Sequence, residues 1–157
     1  MTELSALYND RIIELAAAIP PARRLNHPDA TASAHSKLCG STIVVDLALN
    51  DDIVTDYAQT VKACMLGQAS ASVVATHIIG STVDEIRQVA EEMRRMLKEN
   101  GPPPSGKWAD LAVLQPVREV KGRHASTLLA FEAILRALAA RDAGEQPDAG
   151  KAETASA

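Results

Sequence analysis

Aromatic side chains are almost missing from this chain. Phe, Trp and Tyr make up 3% of its 157 residues. A core without rings has to be filled by Ala, Val, Ile and Leu. Cysteine is as scarce, with two residues, Cys39 and Cys64. That argues against a disulfide framework, and no C-x-x-C pair is present to signal a zinc finger. Basic residues are outnumbered, 16 against 20 acidic ones, for a net charge of -4. A broad nucleic-acid footprint needs the opposite balance. No apolar run reaches the roughly 20 residues that span a bilayer. The first stretch, MTELSALYNDRIIELAAAI, carries acids early and has no basic leader region, so it does not read as a secretory signal. The expectation is a cytoplasmic protein with no membrane or nucleic-acid partner. Catalytic signatures are also lacking. There is no Ser-His-Asp set and no paired general base, and the glycine spots CGS and LGQ are too short to cradle a phosphate.

What is present is an ordered succession of helical and strand patterns. Residues 2–18 have helical spacing at Leu4, Tyr8, Ile12 and Leu15, stopped by Pro20-Pro21. Residues 42–49 alternate, with Ile43, Val45, Leu47 and Leu49 on one face and Thr42, Asp46 and Ala48 on the other. The NDD turn at 50–52 and the β-branched run after it predict a hairpin, with residues 31–38 as a short third strand. Residues 65–79 read as a helix close-packed through Ala and Ser. Residues 81–101 read as a helix with Thr82 and Glu85 at capping-box spacing. Its stripe is Ile86, Ala90, Met93 and Leu97, and Gly101 is the stop. Residues 107–122 read as short irregular or helical pieces. Residues 125–140 read as a last helix with Leu128, Phe131, Leu135 and Leu138 inward. The predicted fold is α+β, a three-stranded antiparallel sheet covered on one side by about four to five helices. Residues 1–140 form one domain, and 141–157, poor in apolar residues, form a disordered tail.

Both cysteines fall at junctions. Cys39 precedes the first long strand, and Cys64 lies between a strand and a helix. A thiol at a helix N-terminus faces positive backbone dipoles, so Cys64 is expected to be the more thiolate-like of the two. The bland alternative is two small buried hydrophobes.

Residues 38–80 resemble the U-type iron–sulfur scaffold family, the IscU, SufU and NifU N-terminal proteins. The resemblance rests on CGS at 39–41, the hairpin DDIVTDYAQTVKAC, the helix start CMLGQASASVV and the later block STLLAFEAIL at 126–135. GKWADLAVLQPV resembles the insert of the SufU branch. The resemblance implies the scaffold fold, an iron–sulfur cluster or zinc as the bound group, and a cysteine desulfurase and iron–sulfur recipient proteins as partners. It also implies a site where Cys39, Ser41, Cys64 and Ser126 converge at one end of the sheet. Two of these four depart from the family pattern: Ser41 stands for an Asp and Ser126 for a Cys. Cys39 and Cys64 are the candidate sulfur acceptors. Cys39, Cys64 and His124 are the candidate metal ligands, with His124 just before the last helix. A serine hydroxyl is neutral at pH 7 and a poor ligand beside a thiolate or carboxylate. Two other readings stand beside the scaffold or sulfur-acceptor one: an interaction protein that has kept the fold and lost the metal chemistry, and a simple zinc-binding domain.

Overall fold

The computed structural model describes residues 9–145. Leu4 and Tyr8 of the first helical stripe lie outside them, as does the tail from residue 146. Helix α1 spans Asp10–Ala17, with the Asn9 side chain accepting from the Ile12 amide at 3.0 Å. Among the described residues the first helix therefore begins at that cap. Ile12 and Leu15 are buried, as the spacing predicted.

Three antiparallel strands follow, β1 (Ala30–His35), β2 (Thr42–Asn50) and β3 (Ile53–Lys62), in the order β1-β2-β3. The alternation of β2 sets the faces. Ile43, Val45 and Leu47 point into the core with Val54, Tyr57 and Gln59 of β3. On β1 the inward positions are Ala30, Ala32 and Ala34, a low floor on which a helix can lie close.

Helix α2 is Met65–His77, α3 is Val83–Lys98 and α4 is His124–Asp142. Helix α4 lies across β1 and β2, and α2 packs between α1 and α4. Thr82 caps α3 by accepting from the Glu85 amide at 3.0 Å. The predicted stripe Ile86, Ala90, Met93 and Leu97 is buried. The left-handed residue that ends α3 is Asn100, at φ 55, and the Gly101 amide then closes onto the Arg95 carbonyl. The stop falls one residue earlier than the sequence placed it, because Asn is among the few residues other than Gly that adopt this conformation.

Residues Gly106–Glu119 form a run of 3-10 turns. Trp108, Leu111, Leu114 and Val117 are buried at intervals of three, which is the 3-10 repeat. Helix α4 is buried on most sides, through Ala130, Phe131, Ala133, Ile134 and Leu138. Leu135, predicted inward, is 37% exposed, because α4 turns its alanines to the sheet and leaves Leu135 on the outer edge. The helix runs on to Asp142, whose carboxylate pairs with Arg87.

The outer face of the sheet holds a second departure. Asp46, read as a residue of the polar face, is 0% exposed. The 20–29 segment crosses this face. Arg24 donates to Asp46 through Nε at 2.6 Å and Nη2 at 3.0 Å. The Leu25 amide and the Thr31 hydroxyl add bonds of 3.0 and 2.7 Å to the same carboxylate. A buried charge held by a bidentate guanidinium and two further donors is a strap for the loop. No helix among the described residues is long and apolar enough to cross a membrane.

Candidate functional site

Strand register builds the site before any side chain is considered. His35 pairs with Thr42, and Thr42 with Lys62. The end of β1, the start of β2 and the end of β3 therefore lie at one end of the sheet. Cys39 sits in the loop between His35 and Thr42, and Cys64 follows Lys62 by two residues.

The Cys39 loop is closed by two backbone bonds of 2.8 Å, Ser36 amide to Ser41 carbonyl and Gly40 amide to Ser36 carbonyl. Gly40 turns at φ 74, a left-handed conformation that glycine adopts without steric cost. The loop presents Cys39 exposed at its tip, next to Leu38, while Ser36 and Ser41 are buried at its base. The Cys39 Sγ lies 2.9 Å from the Ser41 Oγ and donates to the Ser36 Oγ at 3.5 Å. Cys64 is the N-cap residue of α2 and is half-buried. Its Sγ lies 3.4 Å from the Ser126 Oγ. Ser126, in the first turn of α4 and 1% exposed, also donates to the Arg123 carbonyl at 3.3 Å.

Gly67 lets these elements meet. A Cβ there would lie 2.9 Å from the Ala63 Cβ and 3.0 Å from the Ser126 carbonyl oxygen. The start of α2 and the start of α4 touch through that missing side chain.

The Cys39 thiol is drawn down from 9.0 to about 7, chiefly by the Ser41 hydroxyl, then by Ser36, with smaller help from the Ser41 amide and the Ser126 hydroxyl. Partial burial opposes them. Hydrogen bonds to the charged form favour it. The expectation had placed the more thiolate-like sulfur at Cys64, on helix-dipole grounds. The structure adds hydroxyls gathered round Cys39, whose direct bonds favour its anion.

The geometry brings Cys39, Ser41, Cys64 and Ser126 together and leaves His124 out. The His124 ring is 5% exposed, and its Nε2 donates to the Val117 and Arg118 carbonyls at 3.1 and 3.2 Å. It ties the 3-10 run to α4, which corrects its reading as a metal ligand. No three His, Cys, Asp or Glu side chains among the described residues are grouped to hold a metal ion. The donor set is two thiols and two neutral hydroxyls, which does not fit a resident zinc site of four strong ligands. Sequence reading missed Ser36 and the contact made by Gly67. The one signal for Gly67 was a glycine inside a helical pattern, which marks close packing.

Residues 7–139 match the family of the NifU-like N terminal domain. The chain belongs to that family. A NifU-like N-terminal protein of Brucella abortus, described as nitrogen-fixing, shares 49% identity at a TM-score of 0.87 over 90% of this chain and 99% of its own. The iron–sulfur cluster assembly scaffold protein IscU of Thermotoga maritima is 26% identical over 133 residues, 84% of this chain and 92% of that one. A structure from Fervidobacterium islandicum, named for a SUF-system scaffold, has the same fold at 17% identity and a TM-score of 0.77, over 84% of this chain and 96% of that one. The NifU-like fold thus carries, in this chain, a site whose two cysteines are each hydrogen-bonded to a serine.

Proposed function

We propose that this NifU-like domain works in iron–sulfur cluster assembly as a sulfur-accepting scaffold, with Cys39 as the first acceptor and Cys64 as the second. The observation that carries the reading is the gathering of Cys39, Ser41, Cys64 and Ser126 at one end of the sheet, with the Cys39 sulfur exposed. A thiol that accepts sulfur has to be both ionised and reachable. Family membership and the scaffold names of its relatives supply the chemical context.

The transfer needs no outside oxidant. The Cys39 thiolate attacks the terminal sulfur of a persulfide on a cysteine desulfurase. A new S–S bond forms at Cys39 while the donor's S–S bond breaks. The bonding pair leaves with the donor cysteine as thiolate, and Cys39 becomes the persulfide. The Ser36 and Ser41 hydroxyls stabilise the attacking anion. An iron–sulfur cluster is the cargo. Here the chain supplies two thiolates toward it, and the hydroxyls of Ser41 and Ser126 are weak substitutes for anionic ligands. The arrangement suits receiving sulfur better than retaining a finished cluster. The same chemistry implies iron–sulfur recipient proteins as the destination, and a cytoplasmic setting where thiols stay reduced.

The test is incubation with a cysteine desulfurase and cysteine, followed by trapping of persulfides and intact mass analysis. Parent protein is expected to gain sulfur on Cys39, and Cys39→Ala to lose most of the label. If neither cysteine is labelled, and anaerobic iron and sulfide leave no bound iron or visible absorption, the chain is an interaction protein that has kept only the fold.

A further inference from the structure

The end of α3 and the start of α4 border a polar pocket of about 430 Å³ whose lining includes neither thiol. Lys98, Arg118 and Lys121 line it, with Glu119 as the one carboxylate. That is a local excess of positive charge on a chain whose net charge is -4. We propose that this pocket is a binding site for a small oxyanion of the phosphate class, held by Arg118, Lys98 and Lys121.

Four observations carry it. The Arg118 Nε is buried and has no hydrogen-bond partner among the described residues, while its Nη2 is fixed on the Gly101 carbonyl at 3.0 Å. A buried donor without an acceptor is costly, and an anion oxygen would satisfy it. Lys98 and Lys121 are exposed, and neither is ion-paired among the described residues. The two helix ends at the pocket are also unequal. At the C-terminal end of α3, Arg95 and Lys98 offset the partial negative charge. At the N-terminal end of α4, whose first residue His124 lines the pocket, there is neither an acidic residue in the first turn nor a capping side chain. The His124 amide already bonds the Lys121 carbonyl of the preceding 3-10 turn, so this end favours an anion through its dipole and not through that donor. Finally, the larger apolar groove between α3 and α4 contrasts with this pocket. Apart from Lys98, which borders both, its rim cations are paired, Arg87 with Asp142, Arg94 with Glu91 and Arg136 with Glu132. Glu119 is exposed and opposes the anion, but three cations and a helix end outweigh it.

The pocket shares no residue with the thiol cluster, so a negative result at one leaves the other standing. The experiment titrates the full chain with inorganic phosphate at constant ionic strength, following the Arg118 Nε–H and His124 ring resonances by NMR. A saturable shift with a millimolar midpoint is expected, with sulfate competing and chloride not. Lys98→Gln and Lys121→Gln, both at exposed positions where folding is retained, are each expected to weaken binding by about three- to tenfold. A drift that tracks ionic strength without saturating would overturn the assignment. So would an unchanged affinity in both lysine variants, or binding to phosphatidylglycerol vesicles with no response to free phosphate.

Discussion

Replacing Ser41 by Ala should slow the reaction of Cys39 with an alkylating reagent at neutral pH. An ordinary thiol at 9.0 is about 1% ionised at pH 7, whereas one at about 7 is about half ionised. The ratio sets a ceiling of roughly 50-fold on what the surroundings of Cys39 contribute to its thiolate fraction. Ser41 is the largest of several contributors, and the sulfur is exposed, so water screens part of the effect. A less acidic thiolate is also the better nucleophile, which returns about threefold for each tenfold loss in ionisation. The net expectation is a drop of about two- to fivefold at pH 7, turning into a small gain above pH 10, where every thiol is ionised and the more basic thiolate is the better nucleophile. The sign follows from the direction of the shift: the hydroxyls favour the anion, so losing one moves the ionisation midpoint up. The assay is the iodoacetamide rate against pH in a Cys64→Ala background, where Cys39 is the only thiol. An unchanged midpoint in Ser41→Ala would refute the hydroxyl account. A parent midpoint near 9 would refute it more directly.

Gly67→Ala should cost about 1–3 kcal/mol in urea denaturation, because its Cβ meets the Ser126 backbone oxygen at 3.0 Å. It should also separate Cys64 from Ser126, and a stability equal to the parent would mean the helices are not held at that contact. Arg24→Ala strands the buried Asp46 carboxylate and should destabilise by about 3–5 kcal/mol, read as a lowered denaturation midpoint. A loss within error would show the strap to be dispensable. Ser41→Asp with Ser126→Cys restores two anionic groups beside the thiols, so bound zinc per chain should rise after identical loading. Equal metal content in parent and double variant would count against the two serines as the reason for weak metal binding.

The fold was legible in the residues because its signals are local. The β2 alternation, the NDD turn, the Thr82 cap and the stripe from Ile86 to Leu97 each act within a few residues, and each stands where the pattern put it. The burial of Asp46 was not legible. A carboxylate on the outer face of a strand reads as solvated until a loop more than twenty residues away lays Arg24 over it. Leu135 failed for a related reason. A helix buried on nearly all sides has no single stripe, so its period does not say which side faces out. The 3-10 run carried a repeat of three in Trp108, Leu111, Leu114 and Val117, but Pro116 and the flanking loop obscured it.

At the site, sequence determined the inventory: two cysteines, and serines at two positions where relatives of the resembled family carry other ligands. The meeting of Cys39 and Cys64 also followed from chain order, since strand pairing carries both to the same sheet end. Which thiol is acidified was decided only in three dimensions. Ser36 and Ser41 are brought to Cys39 by the closure of one tight loop, and Ser126 is delivered from far along the chain by α4. His124 was excluded in the same way, because its ring turned to the Val117 and Arg118 carbonyls instead of to the sulfurs. A dipole can be inferred from position along a helix. A hydrogen bond depends on an approach of tenths of an ångström, and only the packed structure fixes that distance.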